Sequence, residues 1–167
     1  TNNATFSSTM QYFMNVYSSA QVPPVTSLYN NKGKQLTTLV DNASLRKTAD
    51  EQFGIKEFFS FQTSEGVTLN GWMVKPRNFD ANKKYPVILF QYSGPGSQQV
   101  LDSWYAGNCS AALLERYMAQ EGFVSVIVDG RGTGGRGAEF EKQTYLKLGQ
   151  LESHDQVETA IYLSKLP

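Results

Sequence analysis

The sequence predicts an α/β protein: a mostly parallel sheet with flanking helices, preceded by a short β-rich segment. Three observations predict it. Residues 86–92 and 123–128 are nearly all apolar, as strands covered on both faces of a parallel sheet are. A helical pattern lies between them, so strand, helix and strand follow one another over roughly 40 residues, a right-handed βαβ unit. Residues 11–40 carry short aromatic and β-branched runs broken by turn residues, the pattern of small paired strands.

In chain order, Gln11-Tyr-Phe-Met-Asn-Val-Tyr17 reads as a strand that Val22-Pro-Pro-Val25 breaks. Val25-Thr-Ser-Leu-Tyr29 is a second short strand. Asn30-Asn-Lys-Gly33 is turn chemistry, and residues 34–40 form a third strand. Such strands resemble part of a meander or propeller blade, a unit only marginally stable alone. Asp41-Asn42 offers an N-cap to a polar stretch with Leu45, Ala49 and Phe53 at helical spacing. The domain boundary is placed here, with residues 1–42 as the β-rich segment, 43–54 as a linker or short helix, and 55–167 as the α/β portion.

Ile55-Lys-Glu-Phe-Phe-Ser-Phe61 and residues 67–74 flank Ser64-Glu-Gly66 as a hairpin, and Pro76 ends the second strand because proline cannot donate to a ladder. Asn78 to Lys84 is a polar loop before the apolar strand 86–92. Leu113, Leu114, Tyr117 and Met118 recur at steps near 3.6, and Gly122 sits where a helix C-cap belongs. Phe123-Val-Ser-Val-Ile-Val128 follows as a buried strand. A last helix has Leu151, His154, Val157, Ala160 and Ile161 on one face, expected to point inward. Glu152, Asp155, Gln156 and Thr159 are expected on its wet side, and Leu163 and Leu166 fall off the apolar stripe.

Composition narrows the function classes. The chain has 167 residues, 40% hydrophobic and 13% aromatic, enough for a real core. Its formal net charge is zero, which leaves no electrostatic case for nucleic acid or an anionic membrane. No apolar run approaches the ~18 residues of a spanning helix. Thr1-Asn-Asn-Ala-Thr5 is polar and reads as an excised start. The single cysteine, Cys109, excludes an internal disulfide and reads as a small buried side chain in a helix. Asn-x-Ser/Thr triplets at Asn3, Asn42 and Asn108 read as chance occurrences. One His and one Cys cannot make a zinc cluster, and no cofactor is expected.

Among the motifs, Asp129-Gly-Arg-Gly-Thr-Gly-Gly-Arg-Gly137 contains a formal Gly130-x-Gly132-x-x-Gly135 dinucleotide fingerprint. Glu152 and Asp155 lie within a helix rather than at a strand end, where the ribose contact belongs. The run reads instead as a strand-end loop with close backbone packing, its Arg131 and Arg136 free to pair with Asp129 or Glu139. The sole histidine, His154, shares a helical face with leucine and valine and reads as structural, helix-surface or interfacial. No Ser-His-Asp set is visible. Tyr92 is left. It is either an aromatic packing residue at a strand end or a phenolic donor at the mouth of the sheet, where ligands bind in open α/β sheets. Such a donor can stabilise negative charge developing on a carbonyl oxygen.

Lys83-Lys-Tyr-Pro-Val-Ile-Leu-Phe-Gln-Tyr-Ser-Gly-Pro-Gly-Ser-Gln98 resembles the Tyr-Pro…Tyr-x-Gly-Pro-x-Ser-Gln stretch of the dipeptidyl peptidase IV branch of the prolyl oligopeptidase family. Residues 126–137 resemble that family's Asp-Gly-Arg-Gly-Ser/Thr-Gly loop, and Leu148-Gly…Glu152…Asp155-Gln-Val its following helix. The resemblance covers roughly residues 5–167 and is closest from residue 68 onward. It implies a serine exopeptidase releasing N-terminal X-Pro or X-Ala dipeptides, with a β-propeller joined to an α/β-hydrolase domain, acting outside the cytoplasm. On this chain it implies the end of the propeller followed by the N-terminal portion of the hydrolase domain. It makes Tyr92 the oxyanion-hole hydroxyl and sets Gln98 on the leaving-group side of the substrate site. The family's Gly-x-Ser-x-Gly elbow, its catalytic Asp and His, and its amine-binding Glu pair match nothing here. The chain is therefore expected to be an inactive piece of a peptidase. Its Pro86–Phe90 strand is expected to stand as an apolar edge and drive homo-oligomerisation, by domain swapping through residues 41–53. A non-catalytic β-rich interaction module is the alternative, and a nucleotide-binding βαβ protein a weaker one.

Overall fold

The structure is a computed structural model that describes residues 1–104 and 109–166, without the side chains of 109–112. The Cys109 side chain and the triplet at Asn108 lie outside the described residues. The chain divides into two compact units, one comprising Thr1–Gln52 with a segment that begins at Leu101, the other the remainder from Phe53.

The first unit is a four-stranded antiparallel meander, β1 (Asn2–Phe6), β2 (Tyr12–Tyr17), β3 (Val25–Asn30) and β4 (Gln35–Val40), followed by α1 (Ala43–Gln52). β2, β3 and β4 follow the β-branched and aromatic runs. β1 is a strand that the sequence pattern does not reveal, because Asn-Asn-Ala-Thr has weak β-propensity. It forms by pairing, with Asn2 opposite Tyr17 and Phe6 opposite Phe13. Phe13 stacks on Tyr29 and meets Phe6 at a tilt, each at 5.1 Å between ring centroids, giving an aromatic ladder across three strands. The Asp41 carboxylate accepts the Ala43 N–H at 3.0 Å at the start of α1.

The second unit holds the sheet β5-β6-β8-β7, made of β5 (Ile55–Gln62), β6 (Thr68–Lys75), β7 (Val87–Phe90) and β8 (Val124–Asp129). Helix α2 (Cys109–Gln120) joins β7 to β8, and α3 (Ala138–Glu141), a 3-10 turn (Lys142–Thr144) and α4 (Gln150–Ser164) follow. The βαβ unit is present, with β7 parallel to β8. The sheet is not mostly parallel: β5–β6 and β6–β8 are antiparallel. A tight hairpin at residues 63–67 forces the first antiparallel pair, and β8 then inserts between β6 and β7.

β8 is buried along its whole length. On one face Phe61, Leu69, Met73, Val124, Val126, Val128 and Phe140 form the core, with Tyr162, Leu163 and Leu166 of the α4 end packed against it. Trp72 and Leu69 are 0% exposed, and burial of each such side chain contributes about 1.5–3 kcal/mol. β7 is different. Expected to be covered on both faces, it is an edge strand among the described residues, with Val87 47% and Phe90 41% exposed. The strand covered on both faces is β8, which is buried at every residue and also has a strand on each side.

Helix α4 is turned opposite to its apolar stripe. Glu152, Asp155 and Thr159 are buried, while Val157 and Ile161 are exposed. The buried polar groups are satisfied: Glu152 accepts the Gly149 N–H at 2.9 Å, and the Thr159 hydroxyl donates to the Asp155 carbonyl at 2.7 Å. Asp155 is held by Arg131, as described below.

Candidate active site

β7 ends at Phe90 and delivers the chain into residues 91–100, a loop shaped by its own turn residues. The Ser97 N–H donates to the Gly94 carbonyl at 3.1 Å, closing a four-residue turn with Pro95 in second place and Gly96 in third at φ 77°. Proline's fixed φ followed by positive φ is the pattern of a type II turn. The Ser97 hydroxyl lies 2.8 Å from the Gly94 carbonyl and 3.3 Å from that of Tyr92.

Tyr92 stands at the carboxyl end of β7 with 63% of its surface exposed. Its hydroxyl makes no hydrogen bond among the described residues, so the donor is open to solvent and to a ligand. Gln98 is exposed too, its amide packed over Gly135. The two residues singled out from the sequence thus share one loop.

The loop is docked on the end of β8. The Asp129 carboxylate accepts the Gln99 N–H at 2.9 Å and the Val100 N–H at 2.9 Å. The Trp72 indole donates to the Gln99 carbonyl at 3.1 Å. Burial pushes the Asp129 carboxyl above its usual range, while the two amides and the Arg136 charge pull it back. The glycine run meets the same loop: the Gly134 N–H donates to the Ser97 carbonyl at 2.8 Å, and the Gly96 N–H donates to Glu141 Oε1 at 3.0 Å. A Cβ at Gly132 would stand 2.5 Å from Thr144 Oγ1, so only glycine fits there.

The arginines do not pair with Asp129 or Glu139. Arg131, 5% exposed, donates through Nε and Nη2 to Asp155 at 3.0 and 2.7 Å, and through Nη1 to Glu65 at 2.6 Å. Its backbone N–H also donates to Asp155 at 2.6 Å. The amide that a phosphate would take in a dinucleotide site is thus occupied by the protein's own carboxylate. Arg136 donates to the Thr68 carbonyl and covers the Phe140 ring at 4.0 Å. His154 Nδ1 lies 3.1 Å from Arg131 Nη2 and serves as an acceptor there, remote from any nucleophile–base pairing. Among the described residues no His, Cys, Asp and Glu cluster could hold a metal, and no helix is long and apolar enough to cross a membrane.

A cavity of about 720 Å³ opens elsewhere in this unit, on the α4 face of the sheet beside β7. It is lined by core side chains such as Phe59, Met73, Leu89 and Tyr162 and carries no catalytic constellation.

Two anchors of the loop escape the sequence. Asp129 leaves one trace, as the acidic residue that closes a nearly all-apolar strand. Glu141 leaves none, since its partner lies 45 residues away.

Residues 111–167 match the model of the prolyl oligopeptidase family. The chain is 34% identical over 165 residues to dipeptidyl peptidase 4 of Trichophyton tonsurans, and 33% identical over 169 residues to a probable dipeptidyl peptidase 4 of Aspergillus flavus. These alignments cover 97% and 99% of this chain but 21% of each relative. The crystal structure of Porphyromonas gingivalis dipeptidyl peptidase 4 superposes with a TM-score of 0.87 at 46% identity, over 99% of this chain and 23% of that one. The chain therefore spans about a fifth of the length of the proteins it resembles.

Proposed function

The chain belongs to the prolyl oligopeptidase family, and we propose that it supplies the oxyanion-stabilising loop of a serine dipeptidyl peptidase. In this reading the parent enzyme releases N-terminal X-Pro or X-Ala dipeptides from peptides. Tyr92 donates its phenolic hydrogen bond to the carbonyl oxygen of the scissile peptide as negative charge develops there. Gln98 lines the leaving-group side. The nucleophilic serine, its histidine and aspartate, and the carboxylates that hold the substrate's amino group come from other parts of the parent.

One observation carries the reading: Tyr92 stands two residues beyond the end of β7 with an open hydroxyl, on a loop clamped to the neighbouring strand. In α/β-hydrolases an oxyanion donor comes from a loop at this end of the sheet. A donor of this kind contributes about 2.7–4 kcal/mol in the transition state. Tyr92→Phe in the full-length enzyme is expected to lower kcat on Gly-Pro-p-nitroanilide by about 10²–10³-fold with KM little changed. The isolated chain is expected to show no turnover, lacking a Ser-His-Asp set. Undiminished kcat in the variant, or hydrolysis by the isolated chain that a serine-directed inhibitor abolishes, overturns the respective part of the reading.

The isolated chain is also proposed to self-associate through β7. Val87, Ile88 and Phe90 are exposed on that edge strand, and an unpaired apolar edge is a template for another strand.

A further inference from the structure

The turn Gly94-Pro95-Gly96-Ser97 lies two residues beyond Tyr92. Its type II form and the alternative type I form differ by a turnover of the middle peptide, the one joining Pro95 to Gly96. That turnover reverses the direction of the Gly96 N–H. The far side of the loop is held firmly, since Gly134 donates to the Ser97 carbonyl and Asp129 takes the amides of Gln99 and Val100. Turning over the middle peptide is a motion that leaves those anchors in place. The turn is in contact with Tyr92 itself, because the Ser97 hydroxyl reaches the Tyr92 carbonyl at 3.3 Å.

Glu141 meets this peptide. At the end of α3, half-buried, its Oε1 accepts the Gly96 N–H at 3.0 Å. A charged acceptor makes such a bond about twice as strong as a neutral one, and it exists only in the type II orientation. From this geometry we infer that Glu141 is a positioning residue of the site: its carboxylate holds the Pro95–Gly96 peptide in one orientation and so fixes where the Tyr92 hydroxyl stands. The inference rests on the reading of Tyr92 as the oxyanion donor.

The test uses the full-length peptidase, with initial rates on Gly-Pro-p-nitroanilide and thermal melting for wild type, Glu141→Ala, Glu141→Gln, Glu139→Ala and Tyr92→Phe. Glu141→Ala is expected to lose kcat about tenfold at little-changed KM and Tm, because a displaced Tyr92 hydroxyl weakens a hydrogen bond made only in the transition state. Glu141→Gln keeps an acceptor oxygen and is expected to stay within about twofold of wild type, as is the exposed Glu139→Ala. Full kcat in Glu141→Ala beside a low kcat in Tyr92→Phe overturns the positioning role and leaves the Tyr92 reading standing. Full kcat in Tyr92→Phe removes that reading and this inference with it. Equal losses in Glu141→Ala and Glu141→Gln, or losses that track Tm, also overturn the positioning role.

Discussion

Glu115 on α2 is 5% exposed, in a buried group with Lys56 and Arg116, and Lys56 Nζ stands 4.0 Å over the Trp72 ring. Burial pushes the Glu115 carboxyl up to about 7, against the opposing pull of Lys56 and Arg116. The folded pKa lies above the ordinary value of 4.5, so between these values the folded chain holds a proton that the unfolded chain has released. Stability from this group is therefore fully present below about 4.5 and lost as the pH rises through about 7. Glu115→Gln has no such titration. Its Tm relative to wild type is expected to rise between about pH 5 and about pH 8, and a constant difference across that range would show that Glu115 titrates normally. The same physics acts at Arg131, where a buried guanidinium demands a carboxylate and finds Asp155, which is 0% exposed.

That demand decides how α4 lies. Val157 and Ile161 are 58% and 44% exposed, so leaving them there forgoes only about half of the ~1.5–3 kcal/mol that full burial of each would give, whereas removing one partner of a buried ion pair costs about 3–5 kcal/mol. The helix therefore presents Asp155 inward and gives its apolar stripe to solvent. A matched pair of substitutions checks this orientation by chemical denaturation. Val157→Asp, at a position 58% exposed, is expected to change stability by less than about 0.5 kcal/mol. Thr159→Asp, at a position 0% exposed, is expected to cost about 3 kcal/mol or more. The reverse ranking would put the stripe of Val157 and Ile161 inside. The loop after β7 obeys the same logic in polar form: the buried Gln99 and half-buried Val100 amides end on Asp129, because N–H groups removed from water must be paired.

Across the whole molecule, the two units differ in how their sheets are covered. The first leaves Leu36, Leu39 and Val40 of β4 exposed, and the second buries β8 completely while leaving β7 open at the edge. The expected consequence is association of the isolated chain. Sedimentation at micromolar concentration should show species larger than a monomer, and Ile88→Lys should shift them toward monomer, since a charge on an edge strand opposes pairing. A monomeric wild-type chain would remove β7 as an association edge.

Much of this was legible along the chain. The βαβ unit, the hairpin and the place of Tyr92 after an apolar strand follow from residues within a few positions of one another, where propensity and turn chemistry act. The family resemblance came from the same stretches. β1, the antiparallel joining of β6 to β8, the orientation of α4 and the anchoring of the Tyr92 loop did not. Each depends on partners far apart in sequence: Arg131 and Asp155 are separated by 24 residues, Gly96 and Glu141 by 45. Periodicity marks a face as apolar but carries no information about which buried charge awaits on the other side. The order of strands and the facing of α4 were settled only when the chain came together, because a buried charge such as Arg131 must find its partner wherever that partner lies in the sequence.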